Sequence, residues 1–200
     1  MMVPMTMLLD AIEKVLRPGL AKRGPLVLEE TSPRSICKPI TLHKNGQPSL
    51  QALLLQPDRV ACPGMSVQDR LFPLFNHHAA GTAVMCDYVV FCQDVCRPEH
   101  LFVLHCELKS THSDGSRQQI ENARLLSDYI VEMAKYHHAV HDVPTIERRG
   151  LVFRPGVSVP KDNLYKKRCR YAPPYRDGFD DLSFAHYPDG KAYPLSHFCD

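Results

Sequence analysis

The sequence predicts an α/β protein, and three observations carry that expectation. Two β-rich runs, Ala83 to Cys92 and Leu101 to Lys109, are joined by a polar connector, Gln93 to His100, that contains Pro98 and reads as the bend of a hairpin. Ser116 to His137 follows with a helical period. Ala123, Leu126, Ile130 and Met133 run along one side of it, and Glu121, Arg124, Asp128, Glu132 and Lys135 along the other. Shorter apolar runs on both sides of this centre supply further strands.

Taken in order, Leu8, Leu9, Ile12, Val15 and Leu16 recur at helical spacing until Pro18-Gly19 ends the pattern, so the chain opens with a short amphipathic helix. Leu26 to Leu28, Ile40 to Leu42 and Leu50 to Leu55 read as short strands or a hairpin, with Asn45-Gly46 a tight-turn signal between the last two. Pro57 to Gly81 has no clear period and reads as loop. After the long helix, Leu151 to Phe153 is a strand, Val157 to Arg176 a basic, proline-containing tract, and Tyr193 to Phe198 a last strand. No internal repeat or low-complexity segment is visible.

Composition narrows the classes of function. At 200 residues, 44% hydrophobic and 23% charged, the chain fits a single globular domain, residues 1–200, and excludes a disordered or fibrous protein. A net charge of +2 excludes a polycation and leaves room for a local basic face. No apolar run approaches the roughly 20 residues that span a bilayer. Asp10, Glu13 and Lys14 interrupt the N-terminal apolar pattern, unlike a secretion signal, and the eight cysteines form no CxxC pair. A reducing cytoplasm is the expected location.

The chemistry lies in the second run of the hairpin. Alternation sets Leu101, Val103, His105, Glu107 and Lys109 on one face, so a carboxylate and an ammonium sit two residues apart at the end of an apolar strand. Partly desolvated charges are costly unless they serve each other or a metal. With the bend centred near Val95 and Cys96, Asp87 comes opposite the neighbourhood of Glu107, and an even register sum puts both carboxylates on one face. Gln119, in line with Leu126 and Ile130 on the inward stripe of the helix, faces the same pocket. Oxygen ligands of this kind suit Mg²⁺ or Mn²⁺, which activate water and offset charge on a phosphodiester, while Lys109 positions or deprotonates the nucleophile.

Asp87 in one strand, Glu107-Leu108-Lys109 in the next and Gln119 opening a helix resemble the core of the PD-(D/E)xK nucleases, which include restriction endonucleases and Holliday-junction resolvases. The resemblance covers Ala83 to His137. It implies a restriction-endonuclease-like fold, a mixed β-sheet flanked by helices, that cleaves nucleic acid with Mg²⁺. By the same resemblance Asp87 and Glu107 bind the metal, the main-chain carbonyl of Leu108 contributes, and Lys109 is the catalytic lysine. Many such enzymes are dimers, which makes a homodimer an implied partner, although no interface stripe is visible. Cys86 stands where the motif has proline, and no tyrosine follows Gln119 at the spacing of some exonuclease branches. Glu13, Glu29 and Glu30 are candidates for an additional acidic residue.

Other residues read more plainly. His105 is expected to be satisfied by neighbouring carboxylates. Cys86, Cys92 and Cys106 are expected on the face opposite Glu107, as small apolar side chains rather than zinc ligands. Between Arg148 and Arg176, Lys166, Lys167, Arg168 and Arg170 are interleaved with Tyr165, Tyr171 and Tyr175, a composition suited to phosphates and bases. The resulting expectation is a Mg²⁺- or Mn²⁺-dependent enzyme that hydrolyses phosphodiester bonds in DNA ahead of RNA. The alternative is a catalytically inactive nuclease-fold protein that binds nucleic acid or serves as an accessory subunit.

Overall fold

The computed structural model of the chain describes residues 8–30, 35–57, 81, 84–110, 115–138, 144–156 and 182–199. Its centre is a mixed sheet of six strands in the order β1-β4-β5-β6-β7-β8. These are β1 (Ala21–Lys22), β4 (Leu50–Leu55), β5 (Tyr88–Asp94), β6 (Arg97–Leu108), β7 (Thr145–Arg154) and β8 (Leu182–Pro188). Pairing is antiparallel from β1 through β6 and parallel from β6 to β8. A smaller sheet contains β2 (Leu26–Leu28), β3 (Ile40–His43) and β9 (Ala192–Pro194), with β3 antiparallel to β2 and parallel to β9.

Period-two alternation divides the large sheet into two apolar faces. One carries Leu53, Val89, Phe91, Leu101, Val103 and Val152 against the helices α1 (Leu8–Val15) and α2 (Ser116–His138). From α2 the residues Ile120, Ala123, Leu126 and Ile130 are buried there, which matches the stripe read from the sequence, and Met133 is half-buried. The other face carries Leu50, Leu54, Val90, Leu104, Leu108 and Phe153, covered by Leu28, Ile40 and Leu42 of the small sheet and by Tyr193 and Phe198. The molecule is thus α/β and layered: helices, large sheet, small sheet. Both described helices pack on the same face.

Two polar anchors hold the layers in register. Buried Gln93 accepts the Leu9 N–H (3.3 Å) at the start of α1, where helix amides lack intrahelical acceptors, and donates to the Pro98 carbonyl (2.8 Å). The Tyr88 hydroxyl accepts from Glu29 N–H (2.9 Å) and donates to the Glu29 carbonyl (2.7 Å), tying the end of β2 to the start of β5.

One local expectation is decided between its alternatives, in favour of short strands, and two need correction. Asn45 and Gly46 do form a tight turn, with φ of 47° and 74° and Gln47 N–H donating to the Lys44 carbonyl at 2.9 Å. The strands on either side nevertheless do not pair, because the turn passes the chain from the small sheet to the large one. The last strand ends at Pro194, and Leu195–Phe198 is a 3₁₀ turn that buries Leu195 and Phe198. Cys86 packs with the helix-facing residues, not with Cys92 and Cys106, because β5 begins only at Tyr88 and alternation does not reach back to it. Pro57 to Gly81 lies outside the described residues apart from its two end positions, and the basic stretch with Lys166, Lys167, Arg168 and Arg170 lies wholly outside them.

Candidate active site

The hairpin register determines the site. Tyr88 pairs with Cys106 and Val89 with His105, so one step further Asp87 stands opposite Glu107. Beside the bend Asp94 pairs with Arg97, and an irregularity between Gln93 and Asp94 shifts the strands into the even register that puts both carboxylates on one face. Two contacts link the facing residues. Asp87 N–H donates to Glu107 Oε2 (3.2 Å), and Leu108 N–H donates to Asp87 Oδ2 (2.7 Å).

Lys109 closes the group from the far side. Its Nζ lies 2.7 Å from Glu107 Oε1 and donates to Gln119 Oε1 at 2.6 Å. Gln119 in turn donates from Nε2 to the Met85 carbonyl (3.3 Å), so the amide is held from both ends. Its position follows from the helix start, since Gln119 N–H bonds to the Gly115 carbonyl (3.1 Å) in the first turn of α2. Gly115 takes a φ of 79°, which favours glycine at that turn. All four predicted side chains, Asp87, Glu107, Lys109 and Gln119, come together where the helix-facing layer ends.

The electrostatics are unbalanced. Glu107 is 2% exposed, and burial first, then the neighbouring Asp87, push its pKa up to about 8 against the opposing pull of Lys109 and the Asp87 N–H. Near neutral pH Glu107 is therefore largely protonated without a cation, and a divalent ion bound beside Asp87 would draw it into its ionised form; hard carboxylate oxygens with main-chain oxygen and water are the donors Mg²⁺ or Mn²⁺ takes. The residues present therefore fit such an ion, with Asp87 and Glu107 as its holders and the Leu108 carbonyl as a further oxygen. Among the described residues, no group of three or more His, Cys, Asp or Glu side chains gathers at metal-binding distance.

The three acidic candidates separate. Glu13 pairs with Arg23 (2.7 Å) on the outer side of α1. Glu29 takes part through its main chain at Tyr88. The Glu30 carboxylate accepts from Ser35 and, at 3.3 Å, from Ser110, the residue after Lys109, so it alone of the three is fixed beside the end of β6.

His105 needs a different account from the expected one. It is fully buried and its Nε2 meets Ser127 Oγ of α2 (2.9 Å), not a carboxylate. Burial, then the positive charges of Arg148 and Arg124, lower its pKa to about 3, so it is a neutral packing residue at neutral pH. Sequence pattern placed it on the correct face, but the serine that satisfies it sits on the helix and could not be paired without the packing. Cys92 and Cys106 are buried on the small-sheet side, as their alternation predicts. The chain matches no protein-family model, no curated protein and no solved structure.

Proposed function

We propose that the protein is a metal-dependent nuclease that hydrolyses phosphodiester bonds, with DNA ahead of RNA as substrate and a restriction-endonuclease-like core. One observation carries this reading: Asp87 and Glu107 face each other across the hairpin, and Lys109 is held at Glu107 by Gln119. A bound Mg²⁺ or Mn²⁺ supplies Lewis-acid activation of water and of the scissile phosphate. Asp87 and Glu107 hold and orient that ion. Lys109 presents an ammonium, oriented by the Gln119 carbonyl oxygen, to the attacking water or to the charge that develops on phosphorus-bound oxygen. A preorganised donor of this kind needs no rearrangement as charge develops.

The reading also carries a cytoplasmic location and binding of nucleic acid by the basic stretch Lys166, Lys167, Arg168 and Arg170. Consistent with absence from membranes, no described helix is long and apolar enough to cross one.

A second reading is favoured by a specific feature of the same site. Both oxygens of Glu107 and one of Asp87 already accept from groups of this chain, so the pair is internally satisfied. Such a centre suits an inactive nuclease-fold protein that binds nucleic acid or acts as an accessory subunit. Incubation with plasmid, single-stranded, branched DNA and RNA in Mg²⁺, Mn²⁺, Ca²⁺ or EDTA separates the two. Cleavage in Mg²⁺ or Mn²⁺, with Ca²⁺ inefficient, is expected of the enzyme. Hydrolysis that resists EDTA rejects the metal mechanism, and binding with no cleavage under any ion favours the accessory protein.

A further inference from the structure

The three parallel strands β6, β7 and β8 end at the same edge of the sheet, the edge where open α/β sheets expose their strand termini to ligands. Their register aligns residues that are far apart in sequence. Glu107 pairs with Val152 and Val152 with His186, so the row that begins with Asp87 and Glu107 continues to His186 two strands away. One step beyond, Lys109 N–H donates to the Phe153 carbonyl (2.9 Å), which sets Lys109 beside Arg154 on β7. Paired residues point to the same side of a sheet, so Arg154 and His186 share the face of the candidate site.

Neither side chain is accounted for by the packing. Arg154 Nε is buried and has no hydrogen-bond partner among the described residues, although a buried guanidinium nitrogen normally has one. His186 is exposed, and partial burial of its ring, then the charge of Arg154, lower its pKa. Arg154 pairs with Pro188, two residues beyond His186, so the two groups are diagonal neighbours on one face of adjacent strands. The carboxylate of Asp189, on the turn after β8, accepts from the Lys38 N–H (2.7 Å). A guanidinium Nε–H with no partner among the described residues, beside an imidazole on the same face, is a donor pair suited to an anion.

We propose that Arg154 and His186 form an anion-binding wall that takes a phosphate group, and that in the protein's function this is a backbone phosphate next to the one cleaved. Identification of the anion as nucleic-acid phosphate rests on the nuclease reading; the wall itself does not. Two strand spacings put His186 about 10 Å from Glu107, too far to share an ion with it and within the span of neighbouring phosphates on one strand. Arg154, between them, offers the planar fork that matches phosphate oxygens. The wall would thus set where the substrate strand lies relative to the carboxylates, with Arg154 as a positioning residue.

The test uses the full chain in EDTA, so that no cleavage occurs, with inorganic phosphate and with a labelled single-stranded oligonucleotide as separate probes. At fixed pH, phosphate should shift the His186 ring resonances in the proton–carbon NMR spectrum, assigned by their loss in His186→Gln. Arg154→Gln should weaken phosphate binding about tenfold, the scale of one lost charge-assisted hydrogen bond. Arg154→Lys should recover part of it. For the oligonucleotide, Arg154→Gln should reduce the slope of log affinity against log salt by roughly 0.7, as for one single-strand phosphate contact. Melting curves establish that each variant is folded. Absence of any phosphate-dependent shift at His186 in the wild-type protein overturns the wall, as does equal phosphate affinity in folded Arg154→Gln. If phosphate binds at the wall and no divalent ion supports cleavage, the wall stands and the nuclease reading falls. If cleavage proceeds and Arg154→Gln leaves both phosphate affinity and KM unchanged, the reverse holds.

Discussion

Replacing Lys109 by methionine keeps the length of the side chain and removes its charge, which isolates the contact at 2.7 Å with Glu107. Removing one partner of a buried ion pair typically costs about 3 to 5 kcal/mol, because the other charge is left uncompensated. Two features of this site lower that figure. Lys109 is 19% exposed, so water can reach the vacated position, and Glu107, its pKa pushed up to about 8, is already largely protonated near neutral pH and leaves little charge beside Asp87. Together they set an expected loss of about 2 to 3 kcal/mol, or about 4 to 12 °C in Tm for a chain of this size. In a Glu107→Gln background the same replacement should cost under about 1 kcal/mol, and the difference is the coupling energy of the pair. Activity should fall by about two to three orders of magnitude in kcat, as when a single preorganised electrostatic group is lost. Thermal melting and single-turnover cleavage of the four proteins in the cycle measure both. An equal loss of Tm in both backgrounds would assign the effect to packing, and full activity in Lys109→Met would reject the site.

Three other expectations follow from separate parts of the structure. His105 is held neutral with a folded pKa of about 3 against an ordinary value of 6.5, so its contribution is complete above pH 6.5 and lost as pH falls toward 3, by about 5 kcal/mol at most. Urea unfolding from pH 7 to 4 should therefore show a shallower acid slope in His105→Gln, and an unchanged slope would place the acid sensitivity elsewhere. Tyr88→Phe removes both hydrogen bonds to the Glu29 main chain and should lower stability by about 1 to 2 kcal/mol; an unchanged Tm would mean that water replaces the hydroxyl completely. Changing Lys166, Lys167, Arg168 and Arg170 together to alanine should weaken DNA binding and flatten its salt dependence by roughly 0.7 to 0.9 per lost phosphate contact, while Glu107→Gln binds normally; an identical salt slope would make the stretch an ordinary solvated segment.

The parts of the fold legible in the sequence are those in which a short-range period is enforced by burial. The α2 stripe is read at 3.6 residues per turn because Ala123, Leu126 and Ile130 all meet the same sheet face. The neighbourhood of Asp87 and Glu107 is legible because a short bend brings the two strands of a hairpin together, but their exact pairing is not, since it depends on a register shift between Gln93 and Asp94 that the turn does not specify. The strand β8 had no such signal. It follows the basic tract, and its partner is a parallel strand distant in sequence, whose register depends on packing and not on a turn. The Asn45-Gly46 turn shows the same limit from the other side: local chemistry specifies the bend, while the choice of sheet for the strands beyond it is tertiary. Ser127, the partner of His105, and Glu30, the one acidic candidate near the end of β6, are likewise set by contacts between elements.

This division between local and distant pairing also divides the candidate site into halves with different evolutionary freedom. Asp87, Glu107 and Lys109 lie on one hairpin, and the contacts among them depend on its bend, on the register shift between Gln93 and Asp94 and on its alternation. Arg154 and His186 reach the same edge only through the parallel register of β6, β7 and β8. A one-residue slip of β7 would turn Arg154 to the small-sheet face, where Phe153 now packs, and would bury its charge among apolar side chains. The alternation of Val152, Phe153 and Arg154 opposes that slip, since it buries Phe153 on one face while Arg154 reaches the rim of the other. The apolar pattern that stabilises β7 is therefore the same pattern that aims its terminal cation toward Lys109. Packing the core and placing charge beside the carboxylates are, in this strand, one constraint.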